Sequence, residues 1–557
     1  MDDFSGTDEA FGSVDGSAAG LEGFLEFDSS FGDISLKPTD RSVRVLVGRR
    51  GSGKSRYLRA LELDANHPDD PTRRLLVLSQ RDEPIIIGPL RTIHVAYPDH
   101  YERLELWRRI WGCAIYASIA SGMLNFAANR AGAAVTVNIE EPDRVFFERF
   151  LTDFLQGSKS AFPVVAALNQ FLNSNPNRSK LHQFAFDPIW NEVEERLIRV
   201  IANSTPVACY LDSLDDNYGA CPAEATDCQV GLLLWVLSKA SDPVIGGRMH
   251  VVVTVRDAVY SAFMETEHGA RYDGKSVRRL DWSRRAAGQF LDRKVAALSP
   301  TVLVKPRAKD LMERWLGNSD LQNPARDNAT ESYRDYLLRH TRFLPREIIE
   351  IGNKVSVHTR AMSARSVDAT EDDLLHVILG EATLIGERAL RAAFDNLIAI
   401  DDSDRPKSRR DVRAGGIPHV HETLQPLMLA AFQSGFLGAL RVGPAPRRGL
   451  IAEYFGPEQL LRADRAFVRA LSGWRPARGG KGIRVSTILW RHGLLGFEAL
   501  GARQAVIKYF SVSGDIEGYS RSELPFANTY VLHSSLLKQG EFLVASVPPR
   551  PETAAAG

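Results

Sequence analysis

An α/β fold built on a parallel sheet is predicted by three features of this 557-residue chain. Short apolar, β-branched runs recur at residues 43–47, 75–78, 207–211 and 250–255, with a shorter one ending at Leu280. They are near-continuous rather than alternating, as expected of strands covered on both faces. The stretches between them carry helical periodicity, and strands alternating with helices close into parallel sheets. Third, the first run passes through Gly48-Arg49-Arg50-Gly51-Ser52-Gly53-Lys54-Ser55 into a helix-forming segment from Arg56 to Leu63. That strand, glycine loop and helix form the sequence context of a phosphate-binding loop.

At about 100–200 residues per domain the length predicts three or four structural units. Residues 1–40 are rich in Asp, Glu, Gly and Ser with scattered phenylalanines, and bury too little surface to offset chain entropy, so disorder is expected there. The other reading is an acidic-aromatic docking peptide centred on Phe24-Leu25-Glu26-Phe27-Asp28. A domain built on the phosphate-binding loop is expected over 41–300, with a mostly helical insertion at about 83–206 in which Trp107, Ile110, Trp111, Ile115 and Ile119 share one face.

Helical signals dominate from 301 to 402. Ser283 is placed to cap a helix through Val295, further helices run from Lys309 to Trp315 and from Pro345, and Thr370 with Asp373 forms a capping-box start for another through Leu390. From 403 to 548, basic glycine- and proline-rich loops separate helix candidates from strand candidates at 505–512 and 528–532, which suggests a winged-helix-like region before a disordered tail at 549–557. No internal repeat is visible.

Sixty-nine basic residues balance 69 acidic ones, so overall charge gives no argument for general nucleic-acid or membrane binding. Four cysteines at irregular spacing fit no disulfide framework, which predicts a reduced, cytoplasmic setting. The most apolar helix candidate, residues 112–124, is shorter than the ~20 residues a span requires and reads as buried. No histidine spacing predicts a zinc site, and no G-x-S-x-G surrounds Ser213.

The loop glycines allow successive backbone N–H groups and the following helix N-terminus to face a phosphate. In that reading Gly48, Arg49, Arg50, Gly51, Ser52, Gly53, Lys54, Ser55 and Arg56 line the nucleotide, Lys54 reaches the β- and γ-phosphates, and the Ser55 hydroxyl sits on Mg²⁺. Such a loop needs an acidic partner at the end of a neighbouring strand. The run Leu211-Asp212-Ser213-Leu214-Asp215-Asp216 supplies it, with Asp212 for Mg²⁺ and Asp215 and Asp216 for the attacking water. Alone this run could be an acidic turn capping a helix; the loop upstream favours the chemical reading.

This acidic run resembles the second motif of the STAND class of signal-transduction ATPases, the NACHT and related families, in which a magnesium Asp is followed by a tiny residue, an apolar residue and an acidic pair. That class usually ends the motif with Glu, where this chain has Asp216. Val251-Val252-Val253-Thr254-Val255-Arg256 is similar to the class's sensor strand, which implies that Arg256 senses the γ-phosphate. Thr341-Arg342-Phe343-Leu344-Pro345-Arg346-Glu347 resembles the lid segment of STAND and AAA+ ATPases and implies a nucleotide contact from Arg346. The resemblance spans roughly residues 42–355. It implies a P-loop NTPase sheet of the additional-strand type, a helical lid, ATP and Mg²⁺ as ligands, slow hydrolysis and a homo-oligomer. Leu489-Trp490-Arg491-His492-Gly493-Leu494-Leu495-Gly496 is loosely similar to runs in bacterial antiviral-defence ATPases.

Two functions follow, with a scaffold that binds ATP structurally and never turns it over as a third. One is an ATP-driven switch answering a nucleic-acid or protein trigger. The other is an initiator- or loader-like ATPase that binds nucleic acid through the winged helix and the basic loops containing Arg409, Arg410, Arg413, Arg447, Arg448, Arg475, Arg478, Lys481 and Arg484. Adenine rather than guanine rests on the resemblance, since no N-K-x-D follows the acidic motif.

Overall fold

A computed structural model of the protein describes residues 9–14, 42–65, 75–78, 85, 87–129, 135–154, 163–212, 214, 222–272, 274–280, 282–323, 329–364, 369–403, 425–442, 450–471, 484–500, 505–509, 524–536 and 542–543. The chain forms two compact units, Gly16–Leu280 and a second made of Met1–Asp15 with Asp281–Gly557. The division falls at Leu280 rather than at residue 300, and the expected lid and C-terminal regions share one unit.

In the first unit β1 (Val45–Val47) leads through the glycine loop into α1 (Lys54–Ala65), followed by β2 (Leu76–Leu78). The insertion is helical as expected: α2 (Ile87–Ala96), α3 (His100–Asn129), α4 (Glu141–Arg149), α5 (Val164–Ser174), α6 (Arg178–Ala185) and α7 (Ile189–Ala202). Then come β3 (Val207–Leu211), α8 (Pro222–Ala240), β4 (Met249–Val255), α9 (Asp257–Met264) and β5 (Val277–Arg279). The five strands form one all-parallel sheet in the order β2-β3-β4-β1-β5. Every residue of β1 and β4 is buried, which explains why both read as unbroken apolar runs.

The long helix α3 is the one helix of the described residues long and apolar enough to cross a membrane, yet 72% of that stretch is buried inside the protein. Its partner is α8. Trp107 lies against Gly231, where an added Cβ would come within 2.3 Å of the Trp107 Cβ, and Gly112 lies against Trp235, where the separation would be 2.5 Å from Nε1. Each helix thus sets a tryptophan into a glycine notch of the other, and the Trp111 indole N–H donates to the Cys228 carbonyl at 2.9 Å. The described cysteines, Cys113, Cys209 and Cys228, are buried thiols that form no disulfide among the described residues. Burial pushes the Cys209 thiol up to about 12, which leaves it unreactive.

In the second unit α10 (Arg284–Ala296) is capped by Ser283, whose Oγ accepts from the Ala286 N–H, as the sequence predicts. It is followed by α11 (Leu311–Leu316), the antiparallel pair β6 (Asp320–Asn323) and β7 (Ala329–Ser332), α12 (Tyr333–Arg339) and α13 (Pro345–Ala364). The long α14 (Glu371–Ser403) starts at the expected box: the Asp373 N–H donates to Thr370 Oγ1, and the Thr370 N–H and hydroxyl donate to Asp373 Oδ2.

The C-terminal part contains β8 (Arg441–Val442), β9 (Leu450–Ala452), β10 (Tyr454–Phe455), α15 (Pro457–Ala470), α16 (Val485–Arg491), β11 (Leu495–Leu500), β12 (Ala505–Tyr509), β13 (Tyr530–Leu532) and β14 (Phe542–Leu543). The β11–β12 hairpin follows two helices, and β13 lies between β10 and β11 in the sheet. Val485, Ser486, Ile488, Leu489 and Trp490 of α16 are buried, and the helix packs on α14, α15 and β11. The nucleic-acid reading rests on the winged helix together with the basic loops. Of their residues Arg484 is exposed; Arg409, Arg410, Arg413, Arg447, Arg448, Arg475, Arg478 and Lys481 lie outside the described residues.

The expectation of disorder at 1–40 fails at residues 9–14. Phe11 is 1% exposed and packed into the second unit, because a Phe-Gly pair can dock through one ring where average composition predicts none. The Phe24–Asp28 peptide lies outside the described residues.

Candidate functional site

The loop after β1 owes its course to three glycines. Gly51 and Gly53 adopt φ of +85° and +96°, a region that side chains disfavour. Gly48 is required by packing, since a Cβ there would lie 2.4 Å from Ser52 Oγ and 3.3 Å from the Leu280 Cβ. The Gly48 N–H donates to the Val255 carbonyl at 3.2 Å, the Ser52 N–H to the Arg49 carbonyl at 3.1 Å, and the Tyr57 N–H to the Gly53 carbonyl at 3.0 Å as the helix begins. Lys54 folds back over the loop: its Nζ donates to the carbonyls of Gly48 at 2.7 Å and Arg49 at 3.1 Å.

Strand order fixes what stands beside this loop. Val47 aligns with Val255 and Leu211 with Val253, so the glycine loop, Asp212, Thr254 and Arg256 all emerge at the carboxyl edge of the sheet. The chain leaves β1 toward β2 on one side and leaves β4 toward β5 on the other, so the strand order reverses between the adjacent β1 and β4. Open α/β sheets bind ligands in the crevice at that switch point.

Asp212 follows β3 and is separated from β1 by β4. The Thr254 hydroxyl donates to Asp212 Oδ1 at 2.5 Å. Arg256 precedes α9 as its N-cap residue, and Asp257, in the first helical turn, pairs with Arg49 across the loop at 3.6 Å. Arg50 is exposed, Ser52 is buried, and Ser55 and Arg56 are half-buried on the first turn of α1, where burial lowers the Arg56 guanidinium from its usual value.

The expected residues Gly48, Arg49, Arg50, Gly51, Ser52, Gly53, Lys54, Ser55, Arg56, Asp212 and Arg256 are thus gathered on one edge of one sheet. Asp215 and Asp216 lie outside the described residues. Arg346 belongs to the second unit, where it pairs with Glu350 at 3.8 Å along α13. Burial raises the Glu350 carboxyl despite the nearby Arg388 and Arg346.

Two contacts at this edge escape sequence reading. Thr254 stands in the sensor run merely as a polar residue; its bond to Asp212 emerges from the pairing of β3 with β4. Asp257 pairs with Arg49, a contact that follows from β4 lying beside β1. The donor set fits hard-cation chemistry, a hydroxyl from Ser55 and a carboxylate from Asp212 being the oxygen ligands that Mg²⁺ prefers. The lysine ammonium and the positive-φ glycines fit a phosphate. No family model, curated protein or solved structure matches the chain.

Proposed function

We propose that the chain is an ATP-binding, Mg²⁺-dependent P-loop ATPase of the additional-strand type that works as a molecular switch of the STAND or AAA+ kind. The observation that carries this reading is the Gly48–Ser55 loop at the switch crevice, with Lys54 bonded to its carbonyls and Asp212 one strand away. Loop N–H groups would cradle the phosphates. Lys54 would exchange the Gly48 and Arg49 carbonyls for β- and γ-phosphate oxygens. Ser55 and Asp212 would hold Mg²⁺, which supplies charge neutralisation at the phosphate oxygens.

Asp215 and Asp216 orient and polarise water, with Asp216 in place of Glu slowing the step. Arg256 senses the γ-phosphate, and Arg346 carries the nucleotide state to the helical unit. Loss of these γ-phosphate contacts on hydrolysis is the switching event. A homo-oligomer, a protein or nucleic-acid trigger, and a role in bacterial defence belong to the same reading.

The test is ATP binding and Mg²⁺-dependent hydrolysis by the wild type, Lys54→Ala and Asp216→Asn. Lys54→Ala weakens ATP binding at least tenfold, and Asp216→Asn keeps binding but loses turnover. Normal binding and turnover in Lys54→Ala would sink the assignment. Turnover raised by DNA or RNA identifies the trigger as nucleic acid, and indifference points to protein.

A further inference from the structure

The docking of residues 9–14 has the form of peptide recognition. Phe11 inserts its ring beside Trp315, with centroids 4.9 Å apart, over Gly352, where an added Cβ would lie 2.5 Å from the ring. The floor of the pocket is itself fixed, because the Trp315 indole N–H donates to Ser356 Oγ at 3.2 Å. The main chain of the segment is then read by side chains. Asn353 Oδ1 accepts from the Phe11 N–H at 2.7 Å, and Asn353 Nδ2 donates to the Gly12 carbonyl at 3.1 Å. Lys294 Nζ donates to the Phe11 carbonyl at 2.8 Å, and the Gly12 N–H closes a turn onto Glu9 at 2.8 Å.

Each feature selects a residue type. The glycine floor admits an aromatic ring that a side chain at position 352 would block. Gly12 has φ of +89°, which selects glycine in the position after the aromatic. One amide side chain spans the donor of Phe11 and the acceptor of Gly12, so it grips a dipeptide whatever the flanking sequence. These contacts come from α10, α11 and α13, whereas the bound segment is followed in the chain by the whole of Gly16–Leu280. A bound segment of so few residues is held by one ring and three side-chain hydrogen bonds to its main chain, a scale suited to release.

We propose that this pocket is a recognition site for Phe-Gly peptides and that the chain's own Phe11-Gly12 is its exchangeable resident, a latch that joins the start of the chain to the helical unit. This inference is independent of the nucleotide assignment.

The test uses the full-length protein and a fluorescein-labelled peptide of residues 7–15, followed by anisotropy. Phe11→Ala, whose pocket lacks its ring, binds the peptide saturably. The wild type binds it at least tenfold more weakly, since a tethered competitor acts at an effective concentration that reaches ~mM for short linkers. Peptides with Phe11→Ala or Gly12→Ala lose at least tenfold. Equal binding by the two proteins, or none by Phe11→Ala, overturns the proposal. A second form guards against misfolding: wild type carrying an inserted protease site after residue 20, cleaved and dialysed against excess labelled peptide. Exchange of the released fragment for the peptide supports the latch, and retention of the fragment overturns it. A wild-type dimer that Phe11→Ala converts to monomer would assign the resident segment to a second copy and overturn the latch within one chain.

Discussion

The Thr254 hydroxyl and the Asp212 carboxylate share a 2.5 Å hydrogen bond across the ends of two neighbouring strands. The hydroxyl is the donor, so it orients a carboxylate without neutralising it, and an oriented carboxylate oxygen favours one direction for a cation. Groups of this kind tune metal affinity by about 10–100-fold. Thr254→Val, which keeps the shape and removes the donor, is therefore expected to raise the Mg²⁺ concentration for half-maximal ATP hydrolysis about tenfold, with magnesium-free nucleotide binding within threefold of wild type. Mg²⁺ titrations of turnover and of binding check both halves.

The loop glycines yield a second expectation. Gly53 has φ of +96°, and an alanine held there costs about 1–2 kcal/mol. Gly53→Ala either destabilises the first unit by that amount or moves the loop off its course, and in both cases ATP affinity falls at least tenfold. Calorimetry with and without nucleotide measures the two effects together.

Helix interlock can be read against an internal control. Gly231 lies inside α8, and on propensity alone Gly231→Ala should stabilise by about 1 kcal/mol. A Cβ there meets the Trp107 Cβ at 2.3 Å and the Arg108 nitrogen at 2.9 Å, one of them backbone. Overpacking of this kind costs about 1–3 kcal/mol, so the sign reverses. Gly247→Ala, with no atom within 4 Å of the new Cβ, is expected to leave the melting temperature almost unchanged.

Acid should act on Asp227. Arg103 Nε donates to its Oδ2 at 2.6 Å, with His94 at 3.4 Å and His100 at 3.6 Å. Burial alone would raise this carboxyl, but the adjacent His94 and the Arg103 guanidinium outweigh it and hold it below its usual value. A depressed folded-state value means the contribution is present above the unfolded value of about 3.9 and is lost as pH falls through the folded one. Asp227→Asn leaves Arg103 buried without its counter-charge, a loss of about 3 kcal/mol near neutrality. The gap between mutant and wild-type melting temperatures should be wide at pH 7 and close below about pH 4.

What could be read from the sequence depended on the range of the interaction. The glycine loop, the five strands and the caps at Ser283 and Thr370 are local patterns, visible because a few adjacent residues determine them. Which strands adjoin is not local: nothing within residues 250–255 announces that this strand lies between those of Lys54 and Asp212, and the Thr254 bond depends on it. Composition likewise misses Phe11, because averaging over an acidic, glycine- and serine-rich stretch hides one ring that finds a pocket. Asp215 and Asp216 stay a sequence reading alone.

The register of the sheet also sets a timetable. Val45 pairs with Val253 on one side and Val277 on the other, so the earliest-made of the described strands is the one whose partners come last in the sheet. At about 5–20 residues per second, translation needs on the order of 10–40 s to bring β4 to β1. Through that interval Val45, Leu46 and Val47, all fully buried at the end, have no strand to join. The nascent chain thus carries an unpaired apolar edge during most of the synthesis of its first unit, and holdase binding at this strand should decide the yield of folded protein.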